Sequence, residues 1–524
     1  MSQIANSAQL AKLQQAIAAH TQGQLDTAAA IYQEILAANP AHFDSTHLLG
    51  VIHMARGEAD QAAALIGKAL QINKKSSPAY SNLSMALRSL GRHEEALSAC
   101  NKAIILQANN VNAHYNRALI LLDLNRHEQA LAGFRKAIVM EPQMAQAHVN
   151  MGVTLQAMER LDEALESFKR ANTIQPRNAD TLHNIGCVLQ RLKRIPEAKR
   201  SFEEAIAAAP QHAEAHVALG ECLLQSGDYK SGWQEYEWRW DVPIFAPNKR
   251  NFPQPSWRGH EDINGKTILV HAEQGLGDTL QFARYVKYVR ERGAKVIFEV
   301  QAALKAVMSG LEGPTQVLAR GEPLPGFDLH CPLLSLPLAL DMSADFAAAP
   351  YINAPALSVE KWRNRLGPEN GIRCGVVWAG SSVVRGTGLY RSMSLDTFKR
   401  IAESGASLVG MQFDVPSKDR TSLDSFAELT NFGPELQDFA DTAGLIFNLD
   451  LVVTVDTATA HLAGAMGKPV WILLAYLPDW RWEFSAGRQT VWYPSANLFR
   501  QPKLHDWDSV MDQVVSEISS LQRA

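Results

Sequence analysis

The chain repeats itself every 34 residues. Blocks laid end to end from Gln9 begin again at Phe43, Ser77, Val111, Ala145, Ala179 and Ala213, with no insertion or deletion. The twentieth position of the first six is Ala28, Ala62, Ala96, Ala130, Ala164 and Ala198, then Gly232 in the seventh. The eighth is Ala16, Gly50, Ser84, Ala118, Gly152, Gly186 and Gly220. Side chains this small at two fixed offsets let the two helices of a hairpin approach closely. Gly23, Gly57, Gly91 and Gly227 fall between the helices, where positive φ is often needed. Pro40, Pro142, Pro176 and Pro210 close their blocks, as a residue that cannot continue a helix does. Each unit buries its apolar face only against its neighbours, so the expected form is a right-handed superhelix with a concave groove.

This pattern resembles the tetratricopeptide repeat and covers about residues 9 to 240. One column stands out in the groove it implies: Asn82, Asn116, Asn150 and Asn184 share the sixth position of four consecutive blocks. A side-chain amide both donates and accepts, so such a ladder can grip an extended peptide backbone without reading its sequence. It resembles the ladder lining the repeat groove of the O-linked N-acetylglucosamine transferases. The competing reading is that each asparagine bonds the adjacent helix. His114, His148 and His216 share the fourth position but lie too far apart to ligate one ion, and no metal motif is visible.

A chain of 524 residues exceeds what one core supports and implies two or three domains. Fifty basic against 54 acidic residues, with no long basic run, favours neither nucleic acid nor a membrane surface. Five scattered cysteines read as buried apolar residues in a reducing compartment. Without a secretory leader or a stretch long enough to span a bilayer, a cytoplasmic location is expected.

After the repeats (1–240), the run GWQEYEWRWDVPIF, rich in aromatics, and Pro243, Pro247, Pro253 and Pro255 read as a connector over 241–263. From Lys266 short β-branched runs alternate with amphipathic helices: ILVHA, a helix from Thr279 to Arg292, KVIFEV; then IRCGVVWAG, ASLVGMQF, DLVVTV and PVWILLA. Strands separated by helices imply parallel sheets covered on both faces. Two series imply two lobes, 264–360 and 361–524, so the expected fold class is an α-solenoid followed by an α/β domain of two lobes. Ligands in such sheets bind beyond the carboxyl ends of the strands.

Two turns occupy that location. In EQGLGDTLQF, Gly275 and Gly277 permit close approach of backbone to ligand, and Asp278 is either an N-cap of the helix expected near Thr279 or a general base in the cleft. In DLVVTVDTATAHLAGAMGKPV, Asp456 and Thr457 open a helix carrying Thr459 and His461 in its first turns; free amides, hydroxyls and the helix dipole there suit a diphosphate, unless the threonines only cap.

The GLGD turn, with the D-T-x-x-x-H-L-A-x-A-x-G-K-P segment, resembles the heptosyltransferase-related glycosyltransferases of the GT-B fold, family nine, over about residues 264 to 520. The resemblance implies that Asp278 is the catalytic base and that Asp456, Thr457 and His461 frame the donor's phosphates. Two departures stand out: Ala458 replaces the glycine usual after Asp-Thr, and no lysine follows the first strand of the second lobe, leaving Arg385 and Arg391 as the cations available to clamp a phosphate. Gln412, ending ASLVGMQF, is placed either to contact a ribose or base or to hold a turn. Trp480, Arg481, Trp482 and Trp492 either wall a sugar or fill the core.

Repeats fused to such a module resemble bacterial protein O-glycosyltransferases of the tetratricopeptide type, including those acting on flagellins. The implied activity is metal-independent transfer from a nucleotide sugar, a substrate and not a cofactor, to a Ser or Thr hydroxyl of a protein held in the groove. The alternatives are transfer to a glycan or lipid-linked saccharide, with repeats for complex assembly, and a scaffold whose transferase half has lost its chemistry.

Overall fold

The computed structural model describes residues 2–342, 350–368, 371–380, 391–482 and 487–523. Two compact units emerge, residues 1–212 and 213–524.

The first unit is helical hairpins in the 34-residue register: Ser2–Thr21 with Leu25–Ala38, Phe43–Ala55 with Ala59–Ile72, Ser77–Ser89 with His93–Leu106, Val111–Asp123 with His127–Met140, Ala145–Ala157 with Leu161–Ile174, and Ala179–Arg191 with Ile195–Ala208. The fifteenth position of each block turns the corner with positive φ, as glycine in Gly23, Gly57 and Gly91, but as Asn125, Glu159 and Lys193 in the next three. The eighth position is small because it faces the twenty-fourth. A Cβ on Gly152 would meet the Phe168 ring at 2.8 Å, and one on Gly186 the Phe202 ring at 2.4 Å. Where Ala118 faces Phe134 instead, Gly133 makes the room: a Cβ there would sit 2.9 Å from that of Ala118.

The seventh pair, Ala213–Gln225 and Tyr229–Tyr236, keeps the register but belongs to the second unit. Its aromatics explain why. Trp233 packs edge-on against Phe282 (5.6 Å) and Trp480 (5.5 Å), and Tyr229 against Trp492 (6.2 Å), all within one buried cluster. Behind it, fully buried Arg239 donates to Glu237 (2.7 Å), Glu273 (2.8 Å) and Ser335 (2.8 Å), joining the aromatic run to the end of the first strand of the lobes.

Two parallel sheets follow. The first holds β1 (Thr267–His271), β2 (Lys295–Val300), β3 (Gln316–Ala319) and β4 (Leu329–Pro332) in the order β3-β2-β1-β4. The second holds β5 (Arg373–Val377), β6 (Ser407–Gly410), β7 (Leu429–Asn431), β8 (Leu451–Val455), β9 (Val470–Leu474) and β10 (Ala496–Arg500) in the order β10-β9-β8-β5-β6-β7. All pairings are parallel, and the strands are buried almost throughout, as sheets covered on both faces require. The strand order reverses beside β1 in one sheet and between β5 and β8 in the other, and such switch points open a crevice at the strands' carboxyl ends. The GLGD turn leaves β1 and the Asp456–Thr457 turn leaves β8.

Candidate functional site

The turn after β1 enters its helix earlier than the sequence suggests. The helix runs from Leu276 to Phe282 and passes through a tight turn, Ala283–Tyr285, into Val286–Glu291. Gly275 takes the N-cap, and Asp278 lies in the first turn, reaching back so that its Oδ2 accepts the Gly275 N–H at 2.8 Å. Asp278 is therefore not itself the N-cap. Its other oxygen, Oδ1, is held by the Arg481 guanidinium.

Arg481 is the residue the sequence undervalues. Buried after β9, it donates from Nε to Gln281 Oε1 (2.6 Å), from one terminal nitrogen to Asp479 Oδ1 (2.7 Å) and from the other to Asp278. Burial opposes its charge, but Asp479 and Asp278 more than offset that and drive its pKa up, so it stays a cation. Its guanidinium lies 4.4 Å from the centre of the Trp480 ring. Trp480, Trp482 and Trp492 are all buried, which makes them core rather than an open sugar wall.

The turn after β8 presents the Ala458–Ala465 helix with Thr457 at its N-cap. Thr457 does not cap the helix with its side chain; its hydroxyl instead pairs with Thr454 Oγ1 at 2.9 Å. Among the described residues the first amides of the helix thus lack a side-chain acceptor, and Thr459 is half-buried in the same turn. His461 is buried, its Nδ1 2.9 Å from the Tyr493 hydroxyl and its ring stacked on Trp482 at 5.3 Å. Burial, with Arg481, Arg284 and Arg391 nearby, drives its pKa well below the ordinary value, so the imidazole is neutral. Asp456 Oδ1 lies 4.0 Å from its Nε2. Burial and Asp479 raise the Asp456 pKa to about 6, against the pull of Arg391.

The two turns meet. A Cβ on Gly277 would lie 2.8 Å from His461 Cδ2 and 3.7 Å from Ala458 Cα, so only glycine allows this approach. Arg391 lies over Gly380 beyond β5, 3.3 Å from the position a Cβ would take there, and its buried Nε has no hydrogen-bond partner among the described residues. Arg385 lies outside the described residues.

Gln412 is not brought to the crevice as a ligand. Its Oε1 accepts from the Trp378 (3.2 Å) and Ala379 (3.1 Å) amides while Nε2 donates to Ala379 O (3.0 Å) and Asp414 O (2.8 Å). The amide is spent on backbone, and the turn role is the one the geometry supports. The asparagine column is engaged in part. Asn82 Nδ2 donates to His47 Nε2 (3.0 Å), that of Asn116 to Ser81 Oγ (3.0 Å), and that of Asn150 to the Tyr115 hydroxyl (2.8 Å). Each partner occupies position five of the preceding repeat, so the Nδ2 of these three ties repeat to repeat, while their carbonyl oxygens have no hydrogen-bond partner among the described residues. For Asn184 that position is Val149, which has no side-chain acceptor, and no partner for Asn184 is found among the described residues.

Residues 19–87, 77–110, 111–144 and 143–211 match descriptions of the tetratricopeptide repeat, and residues 421–504 match glycosyltransferase family 9 (heptosyltransferase). The latter stretch contains Asp456, Thr457, Thr459, His461 and Arg481. Among curated proteins the chain is similar to Protein FlbA of Caulobacter vibrioides, 23% identical over 343 residues, covering 56% of this chain and 53% of that protein. The chain thus spans about half the length of that relative. Similar solved structures include MamA (25% identity, 32% of this chain and 96% of that one, TM-score 0.28), YrrB, described as a TPR protein with an unusual peptide-binding site (22%, 35% and 95%, 0.30), and PilW, described as a widely conserved type IV pilus biogenesis factor (19%, 40% and 98%, 0.39). The chain is a tetratricopeptide-repeat protein that carries a glycosyltransferase family 9, heptosyltransferase-type domain.

Proposed function

We propose that the protein transfers a sugar from a nucleotide sugar to a hydroxyl of a protein acceptor, with the repeats engaging the acceptor. The observation that supports this reading is the contact between the two turns, Gly277 against His461 and Ala458, which brings the helix bearing Asp278 beside the start of the Ala458–Ala465 helix. The helix amides, Thr457 and Thr459 receive the donor's diphosphate, and Arg391 supplies the compensating cation. A neutral His461 donates or accepts a hydrogen bond without adding charge. As the anomeric carbon leaves the diphosphate oxygen, Asp278 takes the proton from the attacking hydroxyl, and the helix start stabilises the charge gathering on the departing phosphate.

The full chain, incubated with a panel of nucleotide sugars, is expected to show a raised melting temperature with one nucleotide class, since binding stabilises by RT ln(1 + [L]/Kd). Asp278→Asn should keep that shift but lose transfer by a factor of about 10² to 10⁴. An unchanged rate in Asp278→Asn removes it as the base, and no shift with any nucleotide sugar removes the donor class.

One observation favours a second reading. With the Nδ2 of Asn82, Asn116 and Asn150 engaged inside the array, the argument for a groove that grips peptide backbone rests on their carbonyl oxygens and on Asn184. Transfer to a glycan or lipid-linked saccharide, with repeats that assemble a complex, is then distinguished by offering small saccharide and polypeptide acceptors to the same full chain.

A further inference from the structure

His461 reaches the crevice with one ring nitrogen and is held from behind by the other, and the bonds behind decide what the front can do. Nδ1 lies 2.9 Å from the Tyr493 hydroxyl, and the ring stacks on Trp482. Nε2 faces forward, 4.0 Å from Asp456 Oδ1 and 3.4 Å from the position a Cβ on Gly277 would take. No hydrogen-bond partner for Nε2 is found among the described residues. The ring is neutral, so one nitrogen carries the proton and the other a lone pair.

Which nitrogen carries it is fixed from the far end of a row of hydroxyls. The Tyr351 hydroxyl lies 3.0 Å from Leu280 O and 3.4 Å from Gln281 O, carbonyls that only accept, so the hydrogen there is Tyr351's own. Tyr351 then has only lone pairs left, one for the Arg284 guanidinium at 3.1 Å and one for the Tyr493 hydroxyl, to which it is hydrogen-bonded. Tyr493 therefore gives its single hydrogen to Tyr351, and the proton between its oxygen and Nδ1 is the imidazole's. The reverse order would set the two hydroxyl oxygens together with no hydrogen between them, beside a fully buried Tyr493 ring. Asp456 favours a proton on Nε2, but 4.0 Å is too long for a hydrogen bond.

We propose that Tyr493 and Tyr351 are positioning residues that keep the His461 proton on Nδ1, so that the bare Nε2 accepts a hydrogen bond from a hydroxyl of the donor's sugar. An ionised phosphate has no hydrogen to offer Nε2 and is left to the helix amides and threonines. The sugar is the group in reach, because Nε2 stands beside Gly277, between the helix start and the neighbouring Asp278. This inference rests on the reading of the Ala458–Ala465 helix as the donor's diphosphate site, so the test begins with a readout that needs no ligand.

In the full chain labelled with ¹⁵N-histidine, protonated and bare ring nitrogens resonate far apart. The His461 signals, assigned by their loss in His461→Gln, should show Nδ1 protonated and Nε2 bare. Tyr351→Phe, at a residue with no hydrogen bond to His461, should move the proton to Nε2, because Tyr493 then turns its hydrogen to Nδ1. Tyr493→Phe should likewise end the preference for Nδ1. Binding is then measured for a panel of UDP-, GDP-, ADP- and CMP-linked sugars, each beside its free nucleotide. Tyr351→Phe should weaken the sugar-bearing ligand about tenfold or more and leave the free nucleotide within about twofold. A proton on Nε2 in the wild type overturns the proposal, as does a tautomer that neither variant changes. Equal losses for nucleotide sugar and free nucleotide overturn the sugar hydroxyl as its partner. A proton on Nδ1 in a protein that binds none of the panel upholds the tyrosine relay and refutes the donor reading instead.

Discussion

Gly277→Ala tests the juxtaposition on which the site depends. The residue's φ is not positive, so alanine meets no backbone penalty and the effect is purely one of space. Its Cβ would lie 2.8 Å from His461 Cδ2, about 0.7 Å inside the roughly 3.5 Å at which two carbons rest. His461 has little freedom to yield. Its Nδ1 is bonded to Tyr493, its ring is stacked on Trp482, and Tyr493 is itself pressed against Gly464, where a Cβ would meet the ring at 2.5 Å. Overpacking against a fixed neighbour costs about 1–3 kcal/mol. The assay is urea unfolding followed by tryptophan fluorescence: all 11 tryptophans of the sequence lie at or beyond Trp233, so the signal reports the 213–524 unit alone. With m near 3 kcal/mol per molar, a loss of about 2 kcal/mol lowers the midpoint by about 0.7 M. In a His461→Ala background, where the clash is gone, the same substitution should cost less than about 0.5 kcal/mol. An unmoved midpoint in Gly277→Ala, or an undiminished cost beside His461→Ala, would mean that the two turns do not touch as described.

In the repeats, Gly57→Ala is expected to lower helical stability by about 1 kcal/mol, read by circular dichroism, because φ is +78° and no atom lies within 4 Å of the added methyl, so backbone handedness is the whole effect. Arg239→Met strands the buried carboxylate of Glu273 and the half-buried one of Glu237 and should destabilise the second unit by about 3–5 kcal/mol in the same fluorescence assay; a change under 1 kcal/mol would show the cluster to be dispensable. His271 is buried with its Nε2 3.2 Å from His330 Nδ1, and burial with the neighbouring His330 lowers its pKa to about 3. The unfolded chain therefore binds the proton that the folded one refuses. Relative to His271→Asn, the wild type should lose stability as pH falls from about 6.5 towards 3, by up to about 1.4 kcal/mol per pH unit, and parallel curves would contradict that.

What the sequence reveals depends on the range of the interaction that sets it. The 34-residue period, the small eighth position and the corner at position fifteen follow from contacts within one hairpin, and each is visible as a column of residue types. Even the exception at Ala118 is legible once Gly133 is seen to give way in its place. The two strand-turn-helix segments are local as well, which is why Gly277, Asp456, Thr457 and His461 are recognisable before any coordinates. Arg481 is different. Its partner Asp278 is 203 residues away, and nothing local to DWRW says which carboxylate it will meet. Gln412 is misplaced for a related reason: an amide at a strand end looks available until the neighbouring loop from Trp378 to Ala379 claims three of its bonds and Asp414 O the fourth. The asparagine column stays ambiguous in the sequence because the partner of each Nδ2 lies one repeat away, although His47, Ser81 and Tyr115 at position five, against Val149, hold that distinction in plain view.

The lobes are joined by buried arginines in a way that bears on how the site works. Arg284, from the first lobe, donates to Trp492 O (3.0 Å) and to the Tyr351 hydroxyl (3.1 Å), while Tyr351 N donates to Ala465 O at 2.9 Å. Arg481, from the second, answers with Gln281 and Asp278. A guanidinium in so little water is tolerated only while its donors are matched, because removing one partner leaves a charge that the interior cannot solvate. The contact between lobes is therefore specific in direction and strongly dependent on charge, unlike an apolar seam that could slide. A nucleoside diphosphate arriving at the Ala458–Ala465 helix adds negative charge close to Arg391 and Arg481. Any shift of Arg481 towards that charge loosens its hold on Asp278. On the proposed transferase reading, donor binding and release of Asp278 would then be two consequences of one movement.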